Sequence, residues 1–173
     1  MEYGRTRDPD MLARNPNAVI PTIEDDGFVV WESNVILRYL SRKYGLMNVY
    51  PEEVELRTDV ERWMDWQQTT VGPSMVPVFW GLVRTAPELR DHDAIDKSRD
   101  RYEHFMSMLN ERLGVSQHVA GSEFSMADIP VGIMAYRWFN LDIERADLAN
   151  LARWYEGLTQ RPAFKNNIMI GLT

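Results

Sequence analysis

With 173 residues, 45% of them hydrophobic, the chain is long enough to bury a full core, which excludes disorder and the miniature scaffolds. A formal charge of -7 and a pI near 5.0 create a field that repels polyanions, which argues against nucleic-acid and anionic-membrane binding. The chain has no cysteine, so it holds no disulfide, zinc ribbon or thiol nucleophile of its own, and sulfur chemistry must come from a ligand.

Residues 1–9 are charged rather than signal-like, and no window reaches the roughly 18 consecutive apolar residues of a membrane span, so a cytoplasmic protein is expected. Asp8 and Pro9 open a short turn or helix that Asn15, Pro16 and Asn17 close. Residues 19–31 read as a hairpin: a β-branched run (Val19, Ile20, Thr22, Ile23), a turn at Asp25, Asp26 and Gly27, then Phe28, Val29, Val30 and Trp31. A helix follows over residues 33–44, with Ile36, Leu37, Leu40 and Tyr44 at helical spacing and Gly45 placed as a left-handed cap.

Beyond Pro51 the pattern is helical throughout. The first stripe holds Leu56, Val60, Trp63, Met64 and Val71, and Pro73 and Pro77 are expected to bend or break its continuation towards Val83. Ile95, Tyr102, Phe105, Met106, Leu109 and Leu113 form the second, ending at Gly114. A third runs from Met126 to about Phe139, and a fourth carries Leu148, Leu151, Trp154, Tyr155 and Leu158 before Arg161 and Pro162 stop it. Ser125 and Asp128 have capping-box spacing, with Phe124 and Ile129 as the staple; loss of the Ser125 cap is expected to cost about 1 kcal/mol. The expected domains are residues 1–45 and 52–173.

Glu32 and Ser33 stand where a helix begins, beside unpaired main-chain N–H groups and the positive end of the helix dipole. Such a site suits an α-amino acid head: Ser33 and the N–H groups donate to its carboxylate, and Glu32 accepts from its ammonium. Pro21 cannot donate to a ladder, so it marks an edge, a bulge or a cis bond. A cis bond would turn the main-chain groups of Ile20 outward, ready to pair with an extended peptide. Glutathione presents both a peptide backbone and an amino-acid head.

The whole of residues 15–40 resembles the second half of the thioredoxin-like domain of cytosolic glutathione transferases. The resemblance continues in family order through Trp63-Met64-Asp65-Trp66, Gly81-Leu82-Val83-Arg84-Thr85, the box at Ser125 to Asp128, and Arg161-Pro162-Ala163-Phe164, most like bacterial members. It implies an α+β, mostly α class: a partial thioredoxin-like domain followed by an all-α domain. It further implies a cis Pro21, glutathione contacts from the Ile20 main chain, γ-glutamyl recognition by Glu32 and Ser33, and a homodimer. Ala18 and Val19 replace the glycine and polar or basic residue of many relatives, so one contact to the tripeptide is expected to be missing.

The family begins with a strand-helix-strand unit of about 30 residues or more, whereas only a few residues precede its second helix here. That unit, with its thiol-activating donor and the strand neighbouring residues 19–24, is therefore expected to be absent, or Met1 is an internal methionine of a longer protein. Tyr3 and the serines do not match the donor's position, so no catalytic residue is nominated. By resemblance, Trp66, Thr70, Trp80, Arg84 and Trp138, with Gln67 and Phe79, wall a pocket for an electrophilic second substrate. His92, His104 and His118 lack ligand spacing, and no metal is expected. Two functions stand: conjugation of the glutathione thiolate to small electrophiles, or a noncatalytic glutathione-binding or dimerising module.

Overall fold

The computed structural model describes residues 5–172; Met1 and Tyr3 lie outside them. The chain divides into two compact units, Met1–Tyr50 and Pro51–Thr173.

In the first unit, a 3₁₀ turn (Arg5–Arg7) precedes α1 (Pro9–Arg14), where Pro9 sits in the first turn and its missing N–H leaves no bond unmade. The fully buried Asn15 organises the exit from α1. Its Oδ1 accepts from the Asn17 N–H at 3.0 Å, while its Nδ2 donates to the Val19 carbonyl at 2.9 Å and the Thr22 hydroxyl at 3.0 Å. Strands β1 (Thr22–Asp25) and β2 (Phe28–Trp31) pair antiparallel, Thr22 opposite Trp31 and Asp25 opposite Phe28. Asp26 and Gly27 both have positive φ, 52° and 79°, the requirement of a two-residue turn matched to strand twist. The strand starts three residues later than Val19, because the Val19 carbonyl is held by Asn15 and Pro21 has no N–H to offer. Among the described residues β1 pairs with β2 alone.

Helix α2 (Ser33–Lys43) buries Ile36 and ends as expected: Gly45 takes φ 69°, and the Leu46 N–H reaches back to the Ser41 carbonyl at 2.9 Å. Its end is clamped to the hairpin turn. Lys43 Nζ lies 2.9 Å from Asp25 Oδ2 and 2.7 Å from Asp26 Oδ2, and the Tyr44 hydroxyl donates to Asp25 Oδ1 at 2.9 Å.

In the second unit, the Glu53 carboxylate caps α3 (Val54–Trp66), accepting from the N–H groups of Glu55 and Leu56 at 2.9 and 2.7 Å. At Pro73 and Pro77, where a bend or a break is expected, the chain does not break out of helical structure. The helix continues through a π-helical segment (Gln67–Val71), α4 (Gly72–Phe79) and a second π-helical segment (Trp80–Arg84). Pro73 falls in the first turn of α4, where it is tolerated, and the wider π turns absorb the change in hydrogen-bond pattern. Ser98 completes the repair from a neighbouring helix, inserting its hydroxyl between the Val78 N–H, which donates to it at 3.0 Å, and the Ser74 carbonyl, which accepts from it at 2.6 Å.

A 3₁₀ turn (Pro87–Leu89) leads to α5 (His92–Gly114), capped by Asp91, which accepts from the Ala94 N–H at 3.0 Å. Tyr102, Met106, Leu109 and Leu113 are buried along α5 at the expected spacing. Gly81 allows the preceding segment to approach it: a Cβ there would meet Ile95 at 2.6 Å. Helices α6 (Asp128–Asn140) and α7 (Ala149–Thr159) follow, and Pro162 then opens a further helix, α8 (Pro162–Asn167), which buries Phe164.

The box before α6 forms in part: the Asp128 carboxylate reaches back to the Ser125 N–H as a capping box requires, but the serine hydroxyl does not cap the helix. The Ser125 hydroxyl donates to Asp128 Oδ2 at 3.0 Å instead of accepting from the helix, and the Ser125 N–H donates to the same oxygen at 2.8 Å. Asp128 Oδ1 accepts from the Val119 N–H at 3.1 Å and the Trp154 indole at 2.8 Å. The fully buried carboxylate, rather than the serine, is the centre of the arrangement. Phe124 and Ile129, the staple pair, line a cavity of about 280 Å³ with Phe164.

Candidate functional site

Pairing of Thr22 with Trp31 makes these two residues the last rung at one end of the hairpin. Ile20 and Pro21 enter that end and Glu32 and Ser33 leave it, so the register brings together the two halves of the site read from the sequence. The Ile20–Pro21 bond is cis, and Ile20 is 64% exposed.

Glu32 is the N-cap of α2, yet its side chain makes no capping hydrogen bond. Its backbone has φ 71° and ψ 115°, a conformation that non-glycine residues rarely adopt and that costs on the order of 1–3 kcal/mol. This geometry sets a half-buried carboxylate at the mouth of the helix without using it to close the helix, and Ser33 beside it is exposed. A carboxylate acceptor, a hydroxyl donor and the positive end of a helix dipole thus converge on one small region. An ammonium and a carboxylate on one α-carbon fit that arrangement.

In the second unit the residues expected to wall an electrophile pocket separate into different environments. Trp138 is fully buried, its ring edge-on to Tyr102 with centroids 5.3 Å apart, so it is a core residue and not a pocket wall. Trp66 is half-buried with its ring edge-on to Trp63 and Phe105. Thr70 lies one turn further on in the first π-helical segment, and Trp80 and Arg84 sit at the two ends of the second. Trp80 is 51% exposed and Arg84 is also exposed. Arg90 secures the end of this segment by donating to the carbonyls of Leu82 and Thr85.

Among the described residues, no group of three or more His, Cys, Asp or Glu side chains comes together to hold a metal ion, and no helix is long and apolar enough to cross a membrane.

A family model described as Glutathione S-transferase, N-terminal domain, matches residues 1–42. Glutathione S-transferase GstB of Escherichia coli strain K12 is 37% identical over 171 residues, an alignment covering 98% of this chain and 82% of that protein. The chain belongs to the glutathione S-transferase family. Glutathione S-transferase D7 of Drosophila melanogaster is 29% identical over 165 residues, covering 92% of this chain and 70% of its own. The theta class glutathione S-transferase of the citrus canker pathogen Xanthomonas axonopodis pv. citri, solved with glutathione bound, superposes with a TM-score of 0.96 at 37% identity, covering 100% of this chain and 83% of that one. The glutathione S-transferase fold follows for this chain: a thioredoxin-like portion carrying the hairpin, then a helical portion.

One side chain of this transferase escaped the sequence reading. Arg137 is the lone charged residue in the apolar run from Ile129 to Phe139, and it is half-buried near the end of α6. That isolation is the signal by which it stands out, since a solvated charge belongs on the opposite face.

Proposed function

We propose that the protein conjugates the thiolate of glutathione to small electrophiles. The main chain of Ile20 pairs with the tripeptide backbone beside Pro21, Glu32 accepts from the γ-glutamyl ammonium, and Ser33 with the N–H groups opening α2 donates to its carboxylate. The observation that carries this reading is the positive φ of Glu32, which sets its carboxylate at the helix mouth beside Ser33, at the same end of the hairpin as the cis Ile20–Pro21 bond. In the reaction the thiolate sulfur forms a bond to an electrophilic carbon. A leaving group departs with its electron pair in substitution, or the adjacent carbon takes up a proton in addition.

The reading extends to Trp66, Thr70, Trp80 and Arg84 as contacts of the electrophile, to domains of residues 1–45 and 52–173, and to a cytoplasmic homodimer, as is usual in the family. Light scattering of the purified protein tests the dimer.

Calorimetric titration with glutathione, run beside turnover of a panel of electrophiles, tests the function. Binding and turnover that both collapse in Ser33→Ala and Glu32→Gln are the expected result. Unchanged turnover in these variants rejects the site, and binding without turnover replaces the transferase by a noncatalytic glutathione-binding module.

A further inference from the structure

Residues 15–21 join α1 to β1 without helix or strand, so bonds other than a ladder set their path. Asn15 is at the centre of those bonds. Its N–H donates to the Met11 carbonyl at 2.8 Å, which mounts the residue on the last turn of α1, and its own carbonyl accepts from the Ala18 N–H at 3.0 Å. The carboxamide is saturated. Nδ2 donates both hydrogens, to the Val19 carbonyl at 2.9 Å and the Thr22 hydroxyl at 3.0 Å, and Oδ1 accepts from the main-chain and side-chain N–H groups of Asn17 at 3.0 and 3.2 Å. A carbonyl only accepts and a main-chain N–H only donates, so these partners fix which end of the amide is oxygen. The Thr22 hydroxyl in turn donates to the Val19 carbonyl at 3.2 Å.

Asn15 and Thr22 thus grip the chain on both sides of Ile20 and Pro21. The grip holds a path the loop would not favour by itself, since Ala18 within it has φ 56°, a left-handed conformation that costs alanine more than glycine. Ile20 contributes nothing to its own placement: among the described residues neither its N–H nor its carbonyl has a hydrogen-bond partner, and its side chain is exposed. The groups offered to an extended peptide are therefore held entirely from their flanks.

We propose that Asn15 is a positioning residue for glutathione: by gripping Val19 and Thr22, it keeps the Ile20 main chain on the path that pairs with the tripeptide. The proposal rests on the glutathione reading above, since the fully buried Asn15 meets no ligand and acts only through that segment. With the grip lost, the segment samples other paths, and the apparent dissociation constant rises by the inverse of the fraction left in the competent one. Reaction at the sulfur of bound glutathione does not pass through Asn15, so the effect falls on binding.

The test compares full-length wild type with Asn15→Asp and Thr22→Val by calorimetric titration with glutathione and by steady-state kinetics. Asn15→Asp keeps the shape and the acceptor oxygen but has no hydrogen for the Val19 carbonyl, while Thr22→Val keeps the β-branched strand former and removes the hydroxyl. Kd and KM for glutathione are expected to rise about tenfold in Asn15→Asp and about threefold in Thr22→Val, with kcat and the KM for the electrophile near wild type. Thr22→Ser, which restores the hydroxyl, is expected to return to wild-type Kd. A role confined to stability instead lowers the binding stoichiometry and kcat through loss of folded protein and leaves Kd alone. That pattern, or an unchanged Kd in both variants, overturns the proposal while the glutathione reading stands. Should Asn15→Asp fail to fold, the contrast between Thr22→Val and Thr22→Ser decides, and if wild type binds without turnover, Kd is the readout. A wild type that binds no glutathione overturns the glutathione reading first and the positioning role with it.

Discussion

Trp154 donates its indole N–H to Asp128 Oδ1 at 2.8 Å, joining α7 to the first residue of α6. The same buried carboxylate accepts from the N–H groups of Val119 and Ser125 and from the Ser125 hydroxyl, and His118 Nδ1 lies 3.3 Å from it. Asp128→Ala strands several buried donors at once and is expected to destabilise by about 3 kcal/mol or more. Ser125→Ala removes one donor from a carboxylate that keeps the others, and is expected to cost about 1 kcal/mol. Urea denaturation of the two variants against wild type measures both.

Ser98 bridges the Val78 N–H and the Ser74 carbonyl from a different helix. Its replacement by alanine leaves two buried main-chain groups without that bridge, with an expected cost of about 1–3 kcal/mol. Hydrogen exchange should show faster opening at Val78 than in wild type; equal protection there would mean that the helix closes its own ladder without the serine.

Two glycines with opposite surroundings make a paired test. A Cβ on Gly81 would stand 2.6 Å from two atoms of Ile95, so Gly81→Ala is expected to destabilise by about 1–3 kcal/mol through overpacking. Gly157 is exposed within α7 with nothing near its missing Cβ, and Gly157→Ala is expected to stabilise by about 0.5–1 kcal/mol. Thermal unfolding should move the two midpoints in opposite directions.

Asp25 holds Lys43 and Tyr44 at the end of α2, and its hydrogen bond with Lys43 foremost lowers its pKa below the ordinary value of 3.8. A carboxylate whose folded pKa is depressed contributes stability above its unfolded pKa and loses it as pH falls through the folded one. The gap in melting temperature between wild type and Asp25→Asn is therefore expected to be full near neutrality and to close as acid is added below about pH 3.8. A gap that persists unchanged to lower pH would show that the clamp does not depend on the aspartate charge.

Glu32 carries its strain in the backbone, where glycine carries none. Glu32→Gly is expected to raise stability by about 1 kcal/mol while weakening glutathione binding, because the strain and the binding carboxylate belong to one residue. Parallel unfolding and titration experiments would contradict this if both quantities fell together.

Much of this architecture was readable residue by residue. The hairpin turn follows from Asp26-Gly27 between β-branched runs, the end of α2 from Gly45, and the cores of α5 and α7 from helical spacing of large apolar residues. These are local properties, in which a side chain and its own backbone conformation settle the matter. The order of motifs from Asn15 to Phe164 was enough to indicate the family.

Other features depended on neighbours distant in sequence. Pro73 and Pro77 are helix breakers by every local rule, and the helix survives them through π turns and a hydroxyl supplied from α5. Trp138 looks like a pocket aromatic until its ring is found against Tyr102, and Arg137, one residue earlier, is half-buried over the Phe79 ring. Sequence alone therefore determined the family, the hairpin and the helical stripes, because period, turn chemistry and capping act within a few residues. Only the tertiary structure decided which buried groups find partners, since hydrogen bonding and desolvation are set by whatever other elements bring within about 3 Å.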